Sequence, residues 1–117
     1  MSLMQRRKGK VWERQVAVAF RQAMPGIDPR RGQQSRAGGD APDVVGVPGF
    51  HIECKHRAAV SAEAALKQAE ASVPVGAWPL AVLKKNRSEP YIAMRLTDFL
   101  DLCSEWWGRS RRERPDG

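Results

Sequence analysis

Hydrophobic residues recur along the chain at two spacings, and the spacing predicts which segments are helices and which are strands. From Gly9 to Ala23 the apolar positions fall within one arc of a helix. The same helical pattern follows Ser61 and Thr97, two residues of the kind that commonly begin helices. Shorter apolar runs between these helices predict strands, at Asp43 to Val47, Phe50 to Lys55, "WPLAVLKK" and "YIAMRL".

The order of these segments predicts the fold class. A polar run from Arg30 to Arg36 is a further candidate strand, and "SRAGGDAP" reads as a loop that its paired glycines make flexible. The predicted order is α-β-β-β-α-β-β-α, an α/β (α+β) fold with helices packed on one mixed sheet. We expect residues 1–8 to form a flexible basic arm, 9–108 a single domain and 109–117 a disordered basic tail. Phe99, Cys103 and Trp106 share one stripe of the last helix, so we expect Trp106 in the core.

The composition of the chain predicts the class of protein and its cellular compartment. A chain of 117 residues fits one domain. No charge-poor run approaches the ~20 residues of a membrane span, and the N-terminus has no apolar signal region. The two cysteines, Cys54 and Cys103, have no repeated spacing, which favours reduced thiols over a disulfide framework. These features predict a cytoplasmic protein without a membrane partner.

Charge is unevenly distributed. The chain carries a formal charge of +7, and residues 1–36 hold nine Lys or Arg against two acids. A basic arm on a nearly neutral body favours a polyanionic partner, because neutralising phosphates releases counterions. The alternative is that the basic ends only keep the chain solvated. If the partner is DNA, the candidate contacts are Arg6, Arg7, Lys8, Lys10, Arg30, Arg31, Ser35 and Arg36.

Three charged residues interrupt segments that otherwise read as buried strand. Glu53 and Lys55 are two apart, so they project from the same face, with Cys54 pointing into apolar packing. A tight Pro48-Gly49 turn would pair Asp43 with Cys54 and turn it away from Glu53. Ordinary Pro-Gly turns twist the wrong way for tight hairpins, so we expect an odd-length loop or a bulge that brings Asp43 alongside Glu53.

"Pro42-Asp43 … Glu53-Cys54-Lys55" resembles the signature of the PD-(D/E)XK nuclease superfamily. The fuller stretch, "SRAGGDAPDVVGV…IECK", is similar to archaeal-type Holliday junction resolvases and their phage and bacterial relatives. The resemblance implies a restriction-endonuclease-like core and a metal-dependent DNA endonuclease, acting as a homodimer on branched or duplex DNA. Flaps, nicks or RNA are alternative substrates, and a catalytically silent DNA-binding relative is the alternative function.

The resemblance also implies residue roles. Asp43, Glu53 and the backbone carbonyl of Cys54 would bind Mg²⁺, with Mn²⁺ as a substitute. Lys55 would orient the attacking water or stabilise charge on the phosphorus. Glu13 matches a further acid that many relatives carry on the first helix, although it could also be a solvated helix residue.

Other candidates have structural interpretations. Gln68 lacks the tyrosine that follows it four residues later in some branches, which favours a surface position. His51, Cys54 and His56 suggest zinc only weakly, because His51 and Cys54 face opposite ways on a strand.

Overall fold

The computed structural model describes residues 2–32 and 42–113. Its eight elements confirm the predicted order and the mixed fold class. They are α1 (Leu3–Ala23), β1 (Arg30–Arg31), β2 (Val44–Val45), β3 (Phe50–Arg57), α2 (Ala62–Ala71), β4 (Trp78–Lys85), β5 (Tyr91–Ala93) and α3 (Leu96–Glu113). Of the polar run from Arg30, only β1 is seen as strand, and residues 33–36 lie outside the described residues.

A five-stranded sheet in the order β1-β2-β3-β4-β5 organises the molecule. The long central strands β3 and β4 run parallel, and the remaining neighbours pair antiparallel. Parallel neighbours need a crossover, which α2 supplies. The centre of β4 is apolar at successive positions because helices cover both faces of the sheet.

The two faces of the sheet bury different helices. Trp12, Val16 and Ala17 of α1 pack against a cluster on one face that includes Ile52 and Cys54. On the other face Ala65 of α2 packs with Ala81 and Leu83 of β4. Glu53 and Lys55 alternate with the first set along β3 and therefore project from the face opposite to Cys54. As predicted, Cys54 is a buried core residue.

The first helix begins earlier than the hydrophobic pattern predicts. Ser2 is its N-cap: the Gln5 amide donates to Ser2 Oγ at 3.1 Å, and the Ser2 amide donates to Gln5 Oε1 at 3.2 Å. This reciprocal capping box satisfies amides that a helix end leaves unpaired. Residues 3–8, expected as a flexible arm, are therefore the first turns of α1. Likewise α3 continues to Glu113, so residues 109–113 are helical, and 114–117 lie outside the described residues.

The last helix is mostly uncovered, and the prediction that Trp106 lies in the core is wrong. Trp106 is 62% exposed and Phe99 47% exposed. Arg95, just before α3, ties it to α2 through ion pairs with Glu63 at 2.9 Å and Glu70 at 2.8 Å. The helix continues beyond the ion pairs of Arg95, and the whole of the described molecule is 57 Å long and about half as wide.

None of the helices in the described parts of the chain is both long and apolar enough to cross a membrane.

Candidate functional site

The strand register places Asp43 beside Glu53. Val44 pairs with Ile52 across the antiparallel β2 and β3, so the preceding residue, Asp43, lies opposite Glu53. Residues directly opposite each other share a face of the sheet. This is the arrangement that an odd-length loop or a bulge was expected to produce.

A bulge produces it. The Phe50 amide donates to the Val47 carbonyl at 3.3 Å and closes a tight turn over Pro48 and Gly49. Counting from that turn to the pair Val44–Ile52 leaves two residues of one strand, 45 and 46, opposite one residue of the other, 51. Gly46 has a φ of 85°, a conformation that suits the extra residue of a bulge and favours glycine. The expectation of a bulge is confirmed.

Asp43 is built into the sheet at the start of β2, between β1 and β3. It is buried, and its Oδ2 accepts a hydrogen bond from the Cys54 amide at 2.8 Å. Its own amide donates to the Ile52 carbonyl, and its carbonyl accepts from Gly32, both at 2.9 Å. The side chain thus takes the place of a backbone acceptor in the ladder, which fixes the carboxylate beside the middle of β3.

Glu53 and Lys55 are the other two charged residues of the site. Lys55 Nζ lies 3.7 Å from Glu53 Oε1, and the Glu53 side chain is 8% exposed. Burial raises the pKa of Glu53 to about 8; the hydrogen bond and the charge of Asp43 act in the same direction, whereas Lys55 opposes them. Two carboxyl groups this close cannot both be ionised cheaply, so Glu53 holds a proton at neutral pH when no cation is bound.

Glu13 reaches the same region from α1. It is buried, as its place at the edge of the apolar arc allows, and its Oε1 accepts from Arg31 Nε at 2.8 Å. Burial raises the pKa of Glu13, and the hydrogen bond from Arg31 counteracts the increase. The charges of Asp43 and Lys55 also act on it. The structure therefore brings Asp43, Glu53 and Lys55 together, and Glu13 lies near enough for its charge to interact with theirs.

Sequence reasoning did not identify the pairing of Arg31 with Glu13. The two residues are 18 positions apart in different elements, and no periodic signal links them. The available hint was the cost of burying Glu13, which requires a cation nearby. Arg31 was expected to contact DNA, and it is held at this carboxylate by an ion pair in which its side chain is 28% exposed.

The remaining candidate contacts are spread over the surface. Arg6, Arg7 and Lys10 are exposed on α1, and Arg30 forms an exposed ion pair with Asp28 at 2.9 Å. Lys8 donates to Asn86 in the turn after β4. Ser35 and Arg36 lie outside the described residues.

The alternative zinc site is not favoured by the contacts. His51 shares a hydrogen bond of 2.9 Å with Ser72, and burial raises the pKa of the Cys54 thiol. Gln68 is exposed on α2. Within residues 2–32 and 42–113, no three His, Cys, Asp or Glu side chains form a ready-made metal cluster. A cation at Asp43 and Glu53 would therefore need backbone oxygen and water as well, which is how proteins usually hold Mg²⁺.

The mixed sheet and the acid–acid–lysine arrangement are those of a restriction-endonuclease-like protein of the PD-(D/E)XK class. A family model described as "Phage putative PDDEXK endonuclease" matches residues 4–113, almost the whole chain. The chain belongs to this family of phage PD-(D/E)XK endonucleases, which confirms the superfamily resemblance. No curated protein and no solved structure gives a significant match.

Proposed function

We propose that this family member is a metal-dependent DNA endonuclease that hydrolyses phosphodiester bonds at Asp43, Glu53 and Lys55. The observation that carries the proposal is the register, because it sets two buried carboxylates opposite each other with an ammonium group 3.7 Å from one of them. Burying charge is costly unless another charge or a metal compensates for it. A fold that only needed stability would place apolar residues there.

The donor set fits a hard divalent cation. Asp43 and Glu53 offer carboxylate oxygens, and the Cys54 carbonyl between Glu53 and Lys55 is the proposed third ligand, for Mg²⁺ or Mn²⁺. A cation would also displace the proton that Glu53 holds because its pKa is raised, and it would relieve the repulsion between the two acids. Mg²⁺ bound there would polarise the phosphate and lower the pKa of a water molecule for in-line attack that expels the 3′ oxygen.

The protein's own groups contribute position and charge. Lys55 is half-buried and held near Glu53, so its ammonium group can orient water or stabilise negative charge that develops on the phosphate oxygens. Asp43 is fixed by the Cys54 amide and needs no reorganisation before binding. Glu13, held by Arg31, adds a second negative group beside the site and orients water there.

The proposed substrate is DNA, cut according to its structure in the manner of a Holliday junction resolvase. Arg6 and Lys10 precede Glu13 by seven and three residues on α1 and so lie along the same side of that helix. This stripe of positive charge leads to Glu13 and suits a phosphate backbone. The sequence shows no helix-turn-helix or zinc-finger pattern for base-specific reading, which favours recognition of shape. Flaps, nicks and RNA are the other substrates of the same chemistry.

A panel of labelled junction, flap, nicked, linear and RNA substrates in Mg²⁺ tests the proposal. Asp43→Asn removes a charged ligand at nearly constant shape, and Lys55→Ala removes the ammonium group, so each should reduce cleavage by orders of magnitude. Glu105→Gln and Lys67→Ala are the matched controls, since both residues are exposed and neither is among the groups that act on the pKa of Glu13 or Glu53. The controls should cut like the wild type.

Two further readouts separate the possible outcomes. DNA affinity in Ca²⁺ should persist in Lys55→Ala, and Mg²⁺ should raise the unfolding temperature of the wild type but not of Asp43→Asn. A wild-type protein that binds the panel tightly and cuts none of it would support the silent-relative alternative. Cleavage at wild-type rates by both variants would contradict the proposed site.

We also propose that two copies pair through α3 and so present two sites to a branched substrate. Five of its large apolar side chains are about half exposed or more: Leu96, Phe99, Leu100, Trp106 and Trp107. Together they expose on the order of 500 Å² per copy, or about 1,000 Å² for two, the lower end of a specific interface. The first half of α3 is acidic and the second half basic, so antiparallel pairing of two copies matches opposite charges.

A further inference from the structure

The end of the sheet at which β3 and β4 finish gathers five basic side chains from separate parts of the chain. We call this set, Lys8, Arg57, Lys84, Lys85 and Arg87, the basic end. Arg57 and Lys85 are paired neighbours in the parallel register of β3 and β4. Lys8 joins them from α1 by donating a hydrogen bond to Asn86, which lies between Lys85 and Arg87.

Within the described residues, none of the five is in an ion pair, whereas Arg30, Arg31 and Arg95 all bind carboxylates. Lys8 and Lys84 instead donate to neutral oxygens of Asn86 and Ser88. His56 lies in the same group, and burial together with the charges of Lys8 and Lys84 lowers its pKa. The fold thus concentrates positive charge without acidic partners, which costs free energy unless an anion binds there.

The turn that carries this charge has a constrained backbone. Arg87 has a φ of 61°, a left-handed conformation that is unfavourable for a residue with a side chain. Lys84 Nζ donates to the Ser88 carbonyl at 2.9 Å, and the Ser88 amide donates to the Lys85 carbonyl at 3.2 Å. Such strain persists where the surroundings fix it and is common at binding sites. The backbone of the turn that carries Arg87 is therefore ordered at the end of the sheet.

The basic end is continuous with the proposed active site. Glu53, Lys55 and Arg57 occupy alternate positions of β3 and project from one face, so Arg57 lies ~13 Å from Glu53 along the strand. DNA carries one phosphate per ~3.4 Å of each strand along the helix axis, so this distance corresponds to a few nucleotides. A strand bound at the carboxylates and directed along β3 would reach Arg57 and Lys85.

From this geometry we infer that the basic end is a phosphate-binding track, which holds the DNA backbone a few nucleotides from the scissile bond. The inference rests on the proposed nuclease function for the direction of the strand. In this inference Arg57, Lys85 and Arg87 position the substrate. These three residues were not among the DNA contacts expected from the charge of the N-terminal segment. The track would bind the sugar–phosphate backbone without reading bases.

A triple variant tests the track: Arg57→Gln, Lys85→Gln and Arg87→Asn. Asparagine tolerates the left-handed conformation, and Lys84 is left in place because it orders the turn. The matched control removes three exposed cations elsewhere, through Arg14→Gln, Arg21→Gln and Lys67→Gln. Affinity for a labelled duplex is measured by fluorescence anisotropy in Ca²⁺ over a range of salt, and thermal unfolding checks that both proteins are folded.

In the triple variant the slope of log affinity against log salt should fall by about one unit for each phosphate that the protein no longer neutralises, with affinity reduced at least tenfold at low salt. In the control variant, the salt slope and the affinity at low salt should change much less. Equal slopes and affinities in the two variants would overturn the track. This readout needs no cleavage, so a protein that never cuts but shows the difference would refute the nuclease and leave the basic end as a DNA-binding surface.

A second measurement fixes the position. Single methylphosphonates, which remove one phosphate charge at a time, are placed along each strand of a substrate that the wild type cuts. Wild-type binding should weaken when the neutral linkage lies a few nucleotides to one side of the cut, and the triple variant should be insensitive at that place. If a neutral linkage at that place weakened binding of both proteins equally, the DNA backbone would lie elsewhere and the track would be refuted. The proposed cleavage would be unaffected by that result.

Discussion

At the scale of the residue, Glu53 is the group whose chemistry depends most on its surroundings. An isolated carboxyl group of this type titrates near 4.5, yet burial and the neighbouring Asp43 raise its pKa to about 8. Lys55, 3.7 Å away, compensates only in part. The side chain is therefore prepared to exchange a proton for a cation at physiological pH.

This shift predicts a pH dependence of stability in the absence of metal. Folded Glu53 keeps its proton up to a pH of about 8, whereas the unfolded chain releases it near 4.5. The stabilisation is fully present below 4.5 and is lost as the pH rises through 8, because the folded state binds more protons in between. In EDTA, the free energy of unfolding measured in urea should therefore decline between about pH 4.5 and about pH 8.

Glu53→Gln should remove most of this decline, since glutamine cannot ionise and keeps nearly the same shape. Glu63→Gln is the control, because Glu63 is exposed and its pKa is lowered by Arg95, so its profile over the same range should match the wild type. A decline of the same size in Glu53→Gln would mean that another group titrates in this window.

At the scale of the element, the bulge between β2 and β3 determines whether the site exists. Without the extra residue, Asp43 would pair with Cys54 and face the apolar packing under α1. Gly46 permits the bulge in two ways: its φ is 85°, and a Cβ there would collide with the Asp28 carbonyl oxygen. The packing of the backbone at Gly46 therefore determines the position of the Asp43 carboxylate.

Gly46→Ala should destabilise the protein by more than the ~1–2 kcal/mol of left-handed strain alone, because the collision adds to the strain. Gly26→Ala is the matched control, since Gly26 has a φ of 103° and open space around its Cβ position. Urea unfolding should show a clearly larger loss for Gly46→Ala, with Mg²⁺ stabilisation reduced as well. Equal losses in the two variants would show that the Asp28 backbone yields without cost.

The elements also show what a sequence can and cannot predict. The bulge could be predicted from the two-residue alternation of strands, because a tight turn without an extra residue would turn Asp43 away from Glu53. The argument that Pro48-Gly49 would avoid a tight turn was wrong, since the Phe50 amide closes one on the Val47 carbonyl. The early start of α1 was also encoded locally, in the Ser2-x-x-Gln5 capping box. The pairing of Glu13 with Arg31 could not be predicted, because it depends on how α1 and β1 meet in space.

At the scale of the whole molecule, α3 carries the bulkiest exposed apolar side chains of the described residues, including Trp106 and Trp107. The first helix is mixed, since it exposes basic residues together with Leu3, Met4, Val11 and Val18. The periodicity of α3 correctly indicated an amphipathic helix, but periodicity does not say what covers the apolar stripe. The expectation that Trp106 belongs to the core failed for this reason: the stripe has no cover within the described chain.

Pairing of two copies through this stripe predicts a concentration-dependent dimer. Leu100 is 54% exposed on the stripe, so Leu100→Lys should place a charge in the interface and shift sedimentation to the monomer at micromolar concentration. Glu105→Lys introduces the same side chain at an exposed site on the opposite side of α3, and this control should remain dimeric.

Cleavage adds an independent readout of the same pairing. A dimer has two sites related by symmetry and can cut two strands of a branched DNA in one binding event. Leu100→Lys should therefore accumulate singly nicked products, while its rate on an unbranched strand stays near that of the wild type, since Leu100 lies outside the carboxylate site. A wild type that sediments as a monomer throughout, or a Leu100→Lys variant that makes paired cuts like the wild type, would refute pairing through α3. The proposed chemistry at Asp43 and Glu53 would be unaffected, because each copy contains those residues.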